Sequence, residues 1–128
     1  MAEKATGKFI FPFEKLEVWQ LAVDLADFVL SLLKNMPPNQ YIRVIGHAEA
    51  AVTSVAQNIA EGKGRQYKKE FIQFLYVSEG SLFELLTLVE IFNRRKLISD
   101  DDVEKIREKA ENLDRKLHGL INFLRGRS

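Results

Sequence analysis

Between Gln66 and Arg95 the chain runs for thirty residues without a proline and with one interior glycine, Gly80. Phe71, Leu75, Ser78, Leu82, Leu85, Val89 and Phe92 fall there at alternating steps of four and three, the seam of a packed helix. Ile72, Phe74, Tyr76, Val77, Phe83, Leu86, Leu88 and Ile91 spread apolar surface over most of the remaining circumference. A helix apolar nearly all round is buried on more than one side. This stretch is therefore predicted to be the central staple of a helical bundle.

Three further helices suit that role. Pro12 is a natural lead-in to the first, with Glu14 at the positive end of its dipole. Asn35 and the Pro37-Pro38 pair stop it after about Lys34. Between Leu16 and Leu33 its only polar residues are Glu17, Gln20, Asp24, Asp27 and Ser31, which form one narrow stripe. The second helix is expected over Tyr41 to Glu61. Ile45, Ala48, Val52, Val55 and Ile59 make its seam, and Ala50, Ala51, Ala56 and Ala60 admit close neighbours. Gly62 is placed to cap its C-terminus and Gly64 to loosen the turn that follows. Ser99 reads as the N-cap of the fourth helix, with Asp100, Asp101 and Asp102 in its first turn. Val103, Ile106, Ala110, Leu113, Leu117, Leu120 and Leu124 form that helix's single apolar seam. The expected fold is all-α, a left-handed antiparallel up-down-up-down four-helix bundle. Residues 1–12 are expected to be a flexible arm, 13–125 the bundle and 126–128 a tail.

A chain of 128 residues is expected to form one domain. The absence of cysteine excludes a disulfide framework and thiolate-bound metal. The N-terminus lacks the apolar run of a signal peptide. No stretch reaches about 18 uncharged apolar residues, so no membrane span is expected. A cytoplasmic location follows as the expectation. The net charge is only +1, so a nucleic-acid role requires local clustering of charge.

Several motifs carry a family likeness. Phe13-Glu14-Lys15-Leu16 through Val18-Trp19 resembles the opening of the bacterial 23S ribosomal RNA intervening-sequence proteins, which are small four-helix bundles. Asn58-Ile59-Ala60-Glu61-Gly62 is similar to that family's second-helix ending. Lys69-Glu70-Phe71, Phe74-Leu75 and Gly80-Ser81-Leu82 with Glu84-Leu85 are similar to its third helix. The resemblance spans about residues 13–124. It implies a homopentamer and leaves the biochemical role poorly defined. The accessory variability determinants of diversity-generating retroelements are similar bundles, and that likeness implies nucleic acid and a reverse transcriptase as partners. One departure stands out. Members often carry adjacent arginines in mid helix two, where this chain reads Gly46-His47-Ala48-Glu49-Ala50. That weakens the case for a nucleic-acid contact through helix two.

Catalytic and metal chemistry is thinly supplied. His47 and His118, the only histidines, lie on different helices without His-x-x-x-His or Glu-x-x-His spacing. Glu79, Glu84 and Glu90 read as solvent-facing or interface residues. Asn58 and Glu61, three apart, read as fixing a helix end. Gly62-x-Gly64 follows a helix rather than a strand and is no phosphate loop. No catalytic residue, metal ligand or cofactor is expected. Lys63, Arg65, Lys68 and Lys69 instead gather at the turn between helices two and three, with Tyr67 among them. Both termini reach the same end of an up-down bundle and add Lys4, Lys8, Arg125 and Arg127. Clustered cations of this kind give non-specific affinity for RNA or DNA.

Self-association is the second expectation. Helix one carries thirteen apolar residues among the eighteen from Leu16 to Leu33, more than the roughly three in seven that a bundle core takes up. Val18, Leu21, Leu25, Phe28 and Leu32 on helix one, with Phe74 and Phe83 on helix three, are the expected interface with further copies. The function expected is a non-enzymatic, ring-forming scaffold or adaptor that contacts RNA or DNA through the basic pole. The alternatives are a small-molecule-binding or enzymatic bundle with an inter-subunit cavity, and a purely protein-binding adaptor such as a reverse transcriptase accessory protein.

Overall fold

The computed structural model describes residues 9–126. A 3-10 turn, Pro12–Lys15, leads into four helices: α1 Glu17–Leu33, α2 Ile42–Lys63, α3 Lys68–Arg94 and α4 Asp100–Leu124. There is no strand among the described residues. Short links make successive helices antiparallel. α1 borders α2 and α4, α3 borders the same two, and α1 and α3 face each other across the diagonal. The chain is an all-α four-helix bundle.

The seam read in α3 is the seam that is buried. Phe71, Leu75, Ser78, Leu82, Leu85, Val89 and Phe92 are the buried residues of that helix. They meet Val18, Ala22, Leu25, Val29 and Leu33 from α1, Val52, Val55 and Ile59 from α2, and Ile106, Leu113, Leu117 and Ile121 from α4. Ser78, the one polar residue in the row, donates its hydroxyl to the Val55 carbonyl of α2 at 2.8 Å. A small side chain there lets the two backbones approach while its polar atom stays bonded.

Gly62 departs from its expected role. α2 continues through it to Lys63, and the C-cap is Gly64. Gly62 is buried because α3 crosses it closely: a Cβ at this position would lie 2.6 Å from Phe74 Cβ and 2.9 Å from Phe71 Cδ1.

α3 ends in a Schellman turn. Leu97 N–H reaches the Phe92 carbonyl at 2.8 Å and Lys96 N–H reaches Asn93 at 2.9 Å, with Lys96 in the left-handed region at φ 61°. Ser99 caps α4 as expected, its hydroxyl accepting from Asp102 N–H at 3.1 Å.

Glu14 does not serve the α1 dipole. It is 3% exposed, and its Oε1 accepts from the Ile10 and Phe11 backbone N–H groups at 2.8 Å each. Residues 10 and 11 are thereby tied to the bundle. Phe13 packs edge-on against Trp19, with ring centroids 5.2 Å apart.

Of the residues expected at an interface, Phe83 is half exposed and the helix-one residues are not. Val18 and Leu25 are core residues of a single chain, 4% and 0% exposed, and are unavailable to a second copy. Leu21, Phe28 and Leu32 are half-buried against the same core, and Lys109 lies 5.4 Å over the Phe28 ring. Phe74 is half-buried as well. The uncovered face belongs to α3 opposite its seam, where Tyr76, Val77, Phe83 and Ile91 are 39%, 51%, 50% and 46% exposed. By length and composition α3 is also long and apolar enough to cross a membrane, although the chain has no uncharged run of that length. Glu79 and Glu84 interrupt it, and its seam is spent on the bundle core.

Candidate functional site

The α2–α3 turn brings the expected basic residues to one end of the bundle. Lys63 closes α2, Arg65 and Tyr67 stand in the turn, and Lys68 and Lys69 open α3; all five are exposed. Two of the cations rest on aromatic rings of α3. The Arg65 guanidinium lies 4.6 Å from the Phe74 ring centre, and the Lys63 ammonium lies 5.9 Å from that of Phe71. The ring faces position the charged heads while leaving them wet. Tyr67 is 62% exposed, and it occupies the α3 N-cap position without a side-chain cap bond. The first-turn N–H groups of α3 thus remain without that partner, and the positive end of the helix dipole adds to the field of Lys68 and Lys69. Arg125, exposed at the end of α4, donates to the Tyr76 hydroxyl at 3.0 Å. Lys4, Lys8 and Arg127 lie outside the described residues.

The opposite pole also gathers cations. Lys34, Arg43, Arg94, Arg95 and Lys96 lie there, but so do Asp100, Asp101 and Asp102. Arg94 pairs with Glu90 at 2.9 Å, and Arg95 donates to the Tyr41 hydroxyl at 3.0 Å. The α2–α3 end carries Glu61 and Glu70 beside Lys63, Arg65, Lys68 and Lys69, and among the described residues no ion pair joins them.

A second cluster joins the middle of α3 to α4. His118 Nε2 meets Glu79 Oε2 at 2.5 Å, and Asp114 Oδ1, one turn earlier on α4, lies 4.0 Å from the same nitrogen. Glu79, expected to face solvent or an interface, has a side chain only 13% exposed within the single chain. Tyr76 packs edge-on against the imidazole, with ring centres 6.4 Å apart. Burial, reinforced by the facing Glu79 carboxylate and opposed by His118, raises Asp114 from 3.8 to about 6. Its Oδ1 is buried and has no hydrogen-bond partner.

Between pH 3.8 and about 6 the folded chain holds more protons at Asp114 than the unfolded chain does. The stability linked to this group is therefore fully present at the acid end and is lost as pH rises through the folded value. In chelator-treated buffer, Asp114→Asn should match the unsubstituted protein near pH 4. Above pH 6 it should be more stable by about 1 kcal/mol, a figure lowered for solvent screening at a side chain that keeps some exposure. Urea unfolding across that range checks it; a variant less stable at pH 7 than at pH 4, relative to the unsubstituted chain, contradicts it.

Other sequence candidates are not brought together. Asn58 does not fix a helix end with Glu61. Its amide donates to the Ser54 carbonyl at 2.8 Å and the Ser54 hydroxyl at 2.9 Å. Ser54 in turn meets Ser81 of α3 at 2.8 Å, so these residues link α2 to α3. Glu61 is exposed. His47 lines a shallow groove with Ala50, Ser54, Ser81 and Glu84, far along α2 from the basic turn.

The family model described as 23S rRNA-intervening sequence protein matches residues 14–119. A crystal structure of a protein with unknown function from the S23 ribosomal protein family of Bacteroides thetaiotaomicron is similar, with a TM-score of 0.75 and 21% identity over 81% of this chain and 97% of that one. At that identity the likeness shows the shared bundle alone. No curated protein matches the chain.

Proposed function

This chain belongs to the 23S rRNA-intervening sequence protein family, and we propose that it works as a non-enzymatic, self-associating scaffold that holds RNA or DNA through its basic pole. The observation that carries this reading is the exposed group Lys63, Arg65, Tyr67, Lys68 and Lys69 at one end of a nearly neutral chain. Lys68 and Lys69 stand in the first turn of α3, where each cation costs about 0.3–1 kcal/mol against the helix dipole. Anionic phosphate at that end reverses the cost, because the dipole and the cations then act on the same charge. Tyr67 offers a flat face on which a base can stack.

Self-association enters through the outer face of α3, where Val77, Phe83 and Ile91 are about half exposed. A ring, of five copies as the family resemblance implies, repeats the pole and raises avidity without any new contact. α1 contributes less than its composition suggests, because its apolar residues face the core of their own chain.

Fluorescence anisotropy with a labelled single strand tests the pole. Changing Lys63, Arg65, Lys68 and Lys69 together to glutamine should weaken binding for every sequence. It should also flatten the slope of log K against log salt by up to about 3, at roughly 0.7 per lost phosphate contact. No binding by the unsubstituted protein at low salt would leave only a protein-binding adaptor.

A further inference from the structure

We propose that Glu79, Asp114 and His118 form a binding site for a divalent transition-metal ion, with Zn2+ the best-suited cation, that clasps α3 to α4. Each residue offers one ligand atom, and the three atoms lie within 4.8 Å of one another. An ion held tetrahedrally at about 2.0–2.2 Å from each donor needs its donors about 3.3–3.6 Å apart. The present separations, 2.5 Å from His118 to Glu79 and 4.0 Å from His118 to Asp114, lie on either side of that requirement. Side-chain rotation of a few tenths of an ångström to about an ångström is enough to even them out.

The arrangement is built into the helices. Asp114 and His118 are four apart on α4, so both project from the same face one turn apart. Glu79 comes from the facing turn of α3, next to the buried Ser78 that holds α3 close to α2. A simple ion pair between His118 and Glu79 accounts for two of the three residues only. It leaves Asp114 Oδ1 buried without a partner, beside a second carboxylate, and a cation supplies the missing partner for that oxygen. His118 is 47% exposed, which gives the ion a path in from solvent and leaves open positions for water. The donor set is one imidazole nitrogen and two carboxylate oxygens. That set suits Zn2+ or Co2+ and disfavours Mg2+ and Ca2+, which prefer oxygen donors alone.

The test uses the full chain, freed of metal with chelator and titrated with Zn2+ by calorimetry at pH 7.5. One ion per chain should bind, and the thermal midpoint should rise with it. Glu79→Gln and His118→Asn should each weaken binding by at least about tenfold, His47→Asn should change nothing, and Mg2+ should not compete. Should a variant fail to fold by circular dichroism, the imidazole NMR signals of the unsubstituted protein decide, with Zn2+ moving those of His118 and leaving His47 in place. Absence of Zn2+ binding overturns the proposal. So does binding that survives both substitutions undiminished, or a His118 ring that does not respond.

Discussion

Gly62→Ala should lower the stability of this protein, although alanine is the better helix former by about 1 kcal/mol. The added methyl has no room. It meets Phe74 Cβ at 2.6 Å and Phe71 Cδ1 at 2.9 Å, and neither is the free end of a flexible side chain. Accommodation means moving α3 away from α2 along the helix pair with the most extensive contact. Overpacking of this kind costs about 1–3 kcal/mol, which exceeds or cancels the propensity gain, and Gly62→Leu should prevent the native bundle from forming. Gly80→Ala and Gly119→Ala are the controls. Both positions are helical and open, with nothing within 4 Å of an added Cβ. Each should gain up to about 1 kcal/mol. Urea midpoints at constant slope read all of these changes; Gly62→Ala stabilising like the other two would contradict the close approach.

Charging the outer face of α3 should dissociate the proposed assembly without unfolding the chain. Val77 and Phe83 are about half exposed in a single chain, so Val77→Asp with Phe83→Asp asks little of the monomer fold. Buried between copies, the same two charges have no partner and weaken association by more than about 100-fold. Light scattering should then fall from a multiple of the chain mass to 14.7 kDa, with the helical circular dichroism kept. An undiminished particle mass would move the interface away from this face. The exposed apolar group on α3 is the kind of patch that marks an interaction surface.

What the sequence made legible follows from how local each signal is. The seven α3 seam positions could be read directly, because a four-and-three spacing is a property of one helix and every copy of it meets the same core. Ser99 was equally legible, since its capping bond closes within three residues. Gly62 was misread because a glycine near a helix end looks like a cap, whereas the reason for this one stands on another helix. Val18 and Leu25 were misplaced at an interface because a helix apolar on most sides does not say which side faces its own core. Their spacing with Ala22, Val29 and Leu33 carried that signal. Two of the three residues of the α3–α4 cluster, Asp114 and His118, stand four apart in sequence, a spacing that points to no site by itself; Glu79 joins them only through the packing of α3 on α4. The basic turn was legible because Lys63, Arg65, Lys68 and Lys69 are close in sequence. The aromatic rests under Lys63 and Arg65 were not.

Sedimentation velocity of the native protein at micromolar concentration, mixed with a labelled single-stranded RNA in low salt, tests the scaffold most directly. The account predicts that the RNA sediments with a particle several times 14.7 kDa and is released as salt rises. A stable 14.7 kDa boundary with the RNA left free would contradict both the self-association and the basic pole.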